Sequence, residues 1–288
     1  MDVKKIGFVG TGVMGASIVK HLLNAGHEVT IYTRTKSKAD ALVSLGAKWA
    51  ETPASASNGQ QIIFTMVGYP ADVDEVYNGE HGIFSTVAPG TIVVDMTTSE
   101  PTLAQKLYEK AKEIGIHSLD APVSGGDVGA KNGTLSLMVG GDEEVFEQLK
   151  PIFEVFGQNI VYQGNAGAGQ HTKMCNQIAI ASGMIGVCEA MAYGLDAGLK
   201  MEDVLRSITA GAAGSWSLSN LAPRILNEDL APGFYIKHMI KDMKIALDEA
   251  QRMNLQLPGL KLAKSMYDKL LEEGCGENGT QALIKSYR

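Results

Sequence analysis

KIGFVGTGVMG, residues 5–15, starts as a short apolar run and ends on three glycines spaced GxGxxG. The run predicts a β-strand, and Val13 to Asn24 continues with helical periodicity. Such a glycine triplet is a weak signal alone, but between a strand and a helix it has a mechanism. Gly10 permits the tight turn, Gly12 lets the backbone approach a pyrophosphate, and Gly15 lets helix and strand pack closely. The helix start then offers unpaired N–H groups to an anion. Gly10, Thr11, Gly12, Val13, Met14 and Gly15 are therefore candidate dinucleotide-binding residues. The rival reading, glycines that serve turn geometry alone, accounts for less of this context.

Beyond this stretch, EVTIYT is a second strand and Ser37 to Leu45 is helical. QQIIFTMV, TIVVDM, HSLDAPV, LSLMVGG and NIVYQG add strands. Between them lie helices such as Thr102 to Ile114, with Pro101 in its first turn, and Glu143 to Phe153. Strands alternating with helices predict a parallel, doubly wound sheet. After about Gly164 the β-rich runs stop. Helical patterns follow at His171 to Leu195, Met201 to Thr209, Ile236 to Met253 and Pro258 to Glu272. The expected fold class is α/β: a Rossmann doubly wound sheet over residues 1–164, then an all-helical domain over 165–288.

The end of the second strand selects the dinucleotide. An Asp or Glu there would accept from a ribose 2′-hydroxyl. This chain has Thr33-Arg34-Thr35, with Lys38 one turn on. A guanidinium pairs well with phosphate oxygens, so NADP is the expected cofactor, with NAD use open. Ligands of open α/β sheets sit beyond the C-terminal strand ends, which makes Val67, Gly68 and Thr98 further cofactor candidates. Ser124-Gly125-Gly126 follows another strand. Its hydroxyl and N–H groups suit a carboxylate, and a plain Gly-rich turn explains the same residues equally well. Lys173, Asn176 and Gln177 share one helix face by their spacing. A desolvated lysine there can exchange a proton near neutral pH. Lys237, Lys241 and Lys244 share another face, which by itself reads as a solvated basic stripe.

Composition narrows the classes. The chain has 288 residues, 45% hydrophobic and 20% charged, with net charge −7. That is a globular composition, and an acidic chain without a basic run is not expected to bind nucleic acid. Three cysteines in no metal-binding or paired spacing, Cys175, Cys188 and Cys275, suggest reduced thiols, no metal centre and a cytoplasmic setting. The most apolar stretch, Ile178 to Leu195, reads as a helix buried in protein, and no membrane partner is expected.

Taken in order, GFVGTGVMG, DMTTSEP, DAPVSGGDVGAKNGTLSLMVGG, GAGQHTKMCNQ and KHMIKDMKIAL resemble the β-hydroxyacid dehydrogenases over essentially the whole chain. That family includes 3-hydroxyisobutyrate dehydrogenase, tartronate semialdehyde (2-hydroxy-3-oxopropionate) reductase and glyoxylate/succinic semialdehyde reductase. The resemblance implies NAD(P)-dependent interconversion of a small β-hydroxyacid and its semialdehyde, of the 2-hydroxy-3-oxopropionate, 3-hydroxyisobutyrate, succinic semialdehyde or glyoxylate type. It implies Lys173 as general acid and base with Asn176 beside it. It gives Ser124, Gly125, Gly126, Gln177 and Phe234 to the substrate, and Lys241 to the cofactor. It also implies a homodimer or homotetramer. The Asn176-Gln177 order is closer to the tartronate semialdehyde reductases, whereas Thr33 is closer to the NADP-using aldehyde reductases. Imine reductases and non-catalytic dinucleotide-binding modules are the alternatives on this scaffold. Both tend to lack the lysine that this chain has.

Overall fold

The structure is a computed structural model that describes residues 2–287. The chain divides into two compact units, Met1–Lys173 and Met174–Arg288.

The first unit is a sheet with helices. Its strands are β1 (Lys5–Val9), β2 (Glu28–Tyr32), β3 (Lys48–Trp49), β4 (Ile62–Thr65), β5 (Ile92–Asp95), β6 (His117–Asp120), β7 (Val123–Ser124), β8 (Leu135–Gly140) and β9 (Gly157–Gly164). Its helices are α1 (Val13–Asn24), α2 (Asp40–Ser44), α3 (Pro53–Ser57), α4 (Pro70–Asn78), α5 (Pro101–Glu113), α6 (Gly126–Asn132) and α7 (Glu143–Phe153). The sheet order is β3-β2-β1-β4-β5-β6-β8-β7, with β9 on β8.

The apolar strands have a physical reading. Successive side chains point to opposite faces, so a strand covered on both sides is apolar throughout. Ile6, Phe8, Ile62, Phe64, Ile92 and Val94 enter one core layer with Ile18 and Leu22 of α1. Val9, Ile63 and Val93 enter the other with Val73 of α4 and Leu107 of α5. Phe64 centres the first layer, its ring 6.1 Å from Phe8 and 5.9 Å from Phe156. From β1 the chain moves outward to β2 and β3, then crosses to β4 on the other side. The C-terminal ends of β1 and β4 therefore flank the crevice where such sheets bind ligands.

Three local expectations change. The sheet is parallel from β3 to β6, but β8 runs antiparallel to β6 and β7. Only residues 125–134 join β7 to β8, which is short for the crossover a parallel pair needs. HSLDAPV is also two strands, interrupted at Ala121-Pro122. Ser37 to Leu45 divides into a 3₁₀ turn (Lys36–Ala39) followed by α2.

The second unit is helical. α8 (Ala168–Asp196) spans the division between the units. Then come α9 (Met201–Thr209), α10 (Trp216–Asn220), α11 (Ala222–Leu226), α12 (Ile236–Arg252) and α13 (Pro258–Glu272). The core is rich in methionine: Met174, Met184, Met191, Met201, Met239 and Met243 are buried in one cluster with Tyr267. Unbranched thioethers fill irregular gaps between helices. Among the described residues, α8 alone has the length and hydropathy to cross a membrane. Its Met174, Ala181, Met184, Val187, Cys188 and Met191 belong to this core.

Candidate active site

The glycine loop follows β1. Gly10 has φ +102°, and a side chain there would strike the Met66 carbonyl. Gly15 lies against the Gly10 carbonyl, so helix and strand meet at a distance only glycine allows. Gly12 caps α1 in an extended conformation without a side-chain hydrogen bond. A Cβ at Gly12 would meet nothing within 4 Å. Val13 is exposed, Met14 is half-buried, and Thr11 is buried with its hydroxyl oxygen unpartnered.

Beyond β2, Thr33 is half-buried while Arg34, Thr35 and Lys38 are exposed. The Arg34 guanidinium lies 3.2 Å from the Asp72 carboxylate at the start of α4. Among the described residues no other carboxylate pairs with it. Beyond β4, the Val67 N–H donates to the Thr97 hydroxyl at 3.0 Å, and Gly68 is half-buried.

The ends of β5 and β6 carry two buried carboxylates. Asp95 accepts from the Thr65 hydroxyl at 2.8 Å and from the Thr97 N–H at 3.0 Å. Burial pushes its carboxyl up to about 6, against the hydrogen bonds from Thr97 and Thr65. A folded-state value above the unfolded one stabilises the fold fully below about pH 4, and that contribution is lost as pH rises through 6. Asp95→Asn should therefore gain on the wild type between pH 4 and pH 8, by at most about 3 kcal/mol. Denaturant melts at both pH values check this, and a pH-independent difference contradicts it.

Asp120 is held differently. Its two oxygens accept the backbone N–H groups of Gly167 at 2.7 Å and Gln170 at 2.8 Å, at the start of α8. A carboxylate at a helix N-terminus meets both free donors and the positive end of the dipole. Burial nevertheless raises its pKa, opposed by these backbone bonds. Gly140 and Gly169 line this contact, and a Cβ on either would collide with Asp120. Gln170 is fully buried. Its side chain accepts the Ser99 N–H at 3.0 Å and donates to the Thr97 carbonyl at 2.7 Å. One turn on, Lys173 is 6% exposed. Thr98, half-buried, lies between the two residues that Gln170 grips. Ser124 is half-buried, and Gly125 (φ +126°) and Gly126 (φ +62°) make the turn into α6.

The second unit holds a separate polar cluster. Gln177 is buried; it accepts from the Asn176 amide at 2.7 Å and donates to Asp242 at 2.6 Å. Asp242, also buried, is 3.1 Å from the Lys241 ammonium. Lys241 is thus mostly enclosed, unlike exposed Lys244, which pairs with Asp248. The expected solvated basic stripe is not continuous. Phe234 is half-buried, its ring stacked on His238 at 6.4 Å. Burial, helped by the Lys241 charge, pushes the His238 pKa down.

Known proteins match this chain. Residues 5–164 match the family described as the NAD binding domain of 6-phosphogluconate dehydrogenase. Residues 167–287 match the family described as NAD-binding of NADP-dependent 3-hydroxyisobutyrate dehydrogenase. An uncharacterised oxidoreductase of Bacillus subtilis, YkwC, is 60% identical, with 98% of each chain covered. The 2-hydroxy-3-oxopropionate reductase of Escherichia coli is 37% identical, covering 98% of this chain and 96% of its own. The 3-hydroxyisobutyrate dehydrogenase of Mycobacterium tuberculosis, solved with L-serine, superposes with TM-score 0.92 at 28% identity, with 100% of both chains covered. The chain belongs to the β-hydroxyacid dehydrogenase family.

This β-hydroxyacid dehydrogenase is an NAD(P)-dependent enzyme acting on CH–OH groups. A nicotinamide dinucleotide fits the glycine loop. The open space at Gly12 and the uncapped start of α1 leave room and donors for a pyrophosphate. Sequence reasoning missed Asp95, Gln170 and Asp242. For Asp242 a signal existed, since a carboxylate interrupts the buried stripe of Met239, Met243 and Ala246 on α12.

Proposed function

We propose that the enzyme is an NADP-preferring reductase of small carboxylate-bearing aldehydes, reversible as a β-hydroxyacid dehydrogenase. The bound nicotinamide supplies or accepts the hydride. Lys173 gives its proton to the carbonyl oxygen in reduction and takes it back in oxidation. Ser124 and the backbone N–H groups of Gly125 and Gly126 hold the carboxylate. Asn176, next on the same helix face, orients the reacting oxygen. Arg34, with Thr33, Thr35 and Lys38, receives the 2′-phosphate.

One observation carries this reading. Lysines are rarely buried without a task, and Lys173 is buried one turn past a helix start bolted to the strand ends. The relatives' names point to one substrate pattern. The 2-hydroxy-3-oxopropionate of the Escherichia coli relative and the L-serine solved with the Mycobacterium tuberculosis enzyme both carry a carboxylate two bonds from an oxygen-bearing carbon.

The test is oxidation of NADPH and of NADH with succinic semialdehyde, glyoxylate, tartronate semialdehyde and methylmalonate semialdehyde. The expected result is turnover of at least one, with kcat/KM about tenfold or more higher for NADPH, a cofactor gap of about 1.4 kcal/mol. Absence of turnover with all four, or preference for NADH, overturns the reading.

A further inference from the structure

Gln170 has no part in the chemistry above, yet it is fully buried and every polar group of its side chain is engaged. Its amide joins two segments 71–73 residues apart in sequence. On one side are Thr97 and Ser99, which flank Thr98. On the other is the first turn of α8, where the Gln170 N–H is also anchored on Asp120. Thr97 is itself tied to the ends of β4 and β5 through Val67 and Asp95. Helical side chains lean toward the preceding turn, so Lys173 lies over the turn that holds Gly169 and Gln170. That turn has no play, because a Cβ at Gly169 would strike the Met138 carbonyl and Asp120.

We propose that Gln170 is a positioning residue, which locks the turn carrying Lys173 to the loop carrying Thr98 and so sets the proton donor relative to the cofactor side of the site. The inference rests on Lys173 being the proton donor. Misplacement of a reacting group by about 1 Å can cost about a hundredfold in rate. A Gln170 variant should therefore lose turnover only where Lys173 is present to be misplaced.

The experiment is a double-mutant cycle in the full-length enzyme, with kcat, KM and melting temperature measured for each member. Gln170→Met keeps the volume and removes both hydrogen bonds. Its expected effect is a loss in kcat of about ten- to a hundredfold beside Lys173, with KM for the aldehyde changed far less. In the Lys173→Ala background the same change should cost less than about twofold. Equal loss in both backgrounds would make Gln170 merely structural and overturn the proposal, as would no loss in either. If Gln170→Met does not fold, Gln170→Glu serves, since it keeps the acceptor for Ser99; the same contrast between backgrounds is expected at smaller size. Undiminished turnover of Lys173→Ala alone would instead refute the reading of Lys173, so the two failures are distinguishable.

Discussion

Lys173→Ala should lower kcat by at least about a hundredfold while NADPH still binds. General acid catalysis is worth about 10²–10⁴-fold, and the methyl side chain left behind has no proton to give. The glycine loop, Arg34 and the strand ends remain as they are, so the cofactor affinity should hold. Because the interaction is made in the transition state, kcat and kcat/KM should fall together. Steady-state assays with the best aldehyde, beside a fluorescence titration with NADPH, check both halves. Loss of binding along with turnover would assign Lys173 to the cofactor rather than to the proton.

Arg34→Asp should raise KM for NADPH by about a hundredfold and leave NADH nearly unaffected. A charge-assisted bond from guanidinium to phosphate contributes about 1.5–3 kcal/mol, and the new carboxylate adds repulsion. For NADH the same carboxylate offers an acceptor to the ribose hydroxyl. The lost ion pair with Asp72 should cost the fold little, because the Arg34 side chain is 80% exposed. Cofactor kinetics with both nucleotides test this, and an unchanged ratio of kcat/KM values refutes the phosphate reading.

The legible parts of the molecule are those where local geometry forces the residue choice. Gly10 and Gly15 are readable because a strand-to-helix turn this tight rejects a side chain. Helices α7, α9 and α13 are readable to their ends because apolar spacing and an N-terminal Pro258 mark them. Lys173 is readable as a lysine on an apolar helix face, and its burial accords with that. What was not legible depends on partners distant along the chain. The helical pattern read from the sequence starts at His171, and nothing in it shows that Gln170 meets Thr97 and Ser99. Nor does it link Gln177 to Asp242, 65 residues away. The antiparallel β8 escaped for a similar reason, since strand patterns do not encode direction.

Whether Lys173 acts on the proton or on cofactor binding is decided by single-turnover kinetics. Enzyme loaded with NADPH is mixed with saturating aldehyde, and nicotinamide absorbance is followed for the wild type and Lys173→Ala. Equal NADPH affinity and an oxidation rate at least about a hundredfold lower in the variant are expected. Equal rates in the two proteins would contradict the role of Lys173 on the proton.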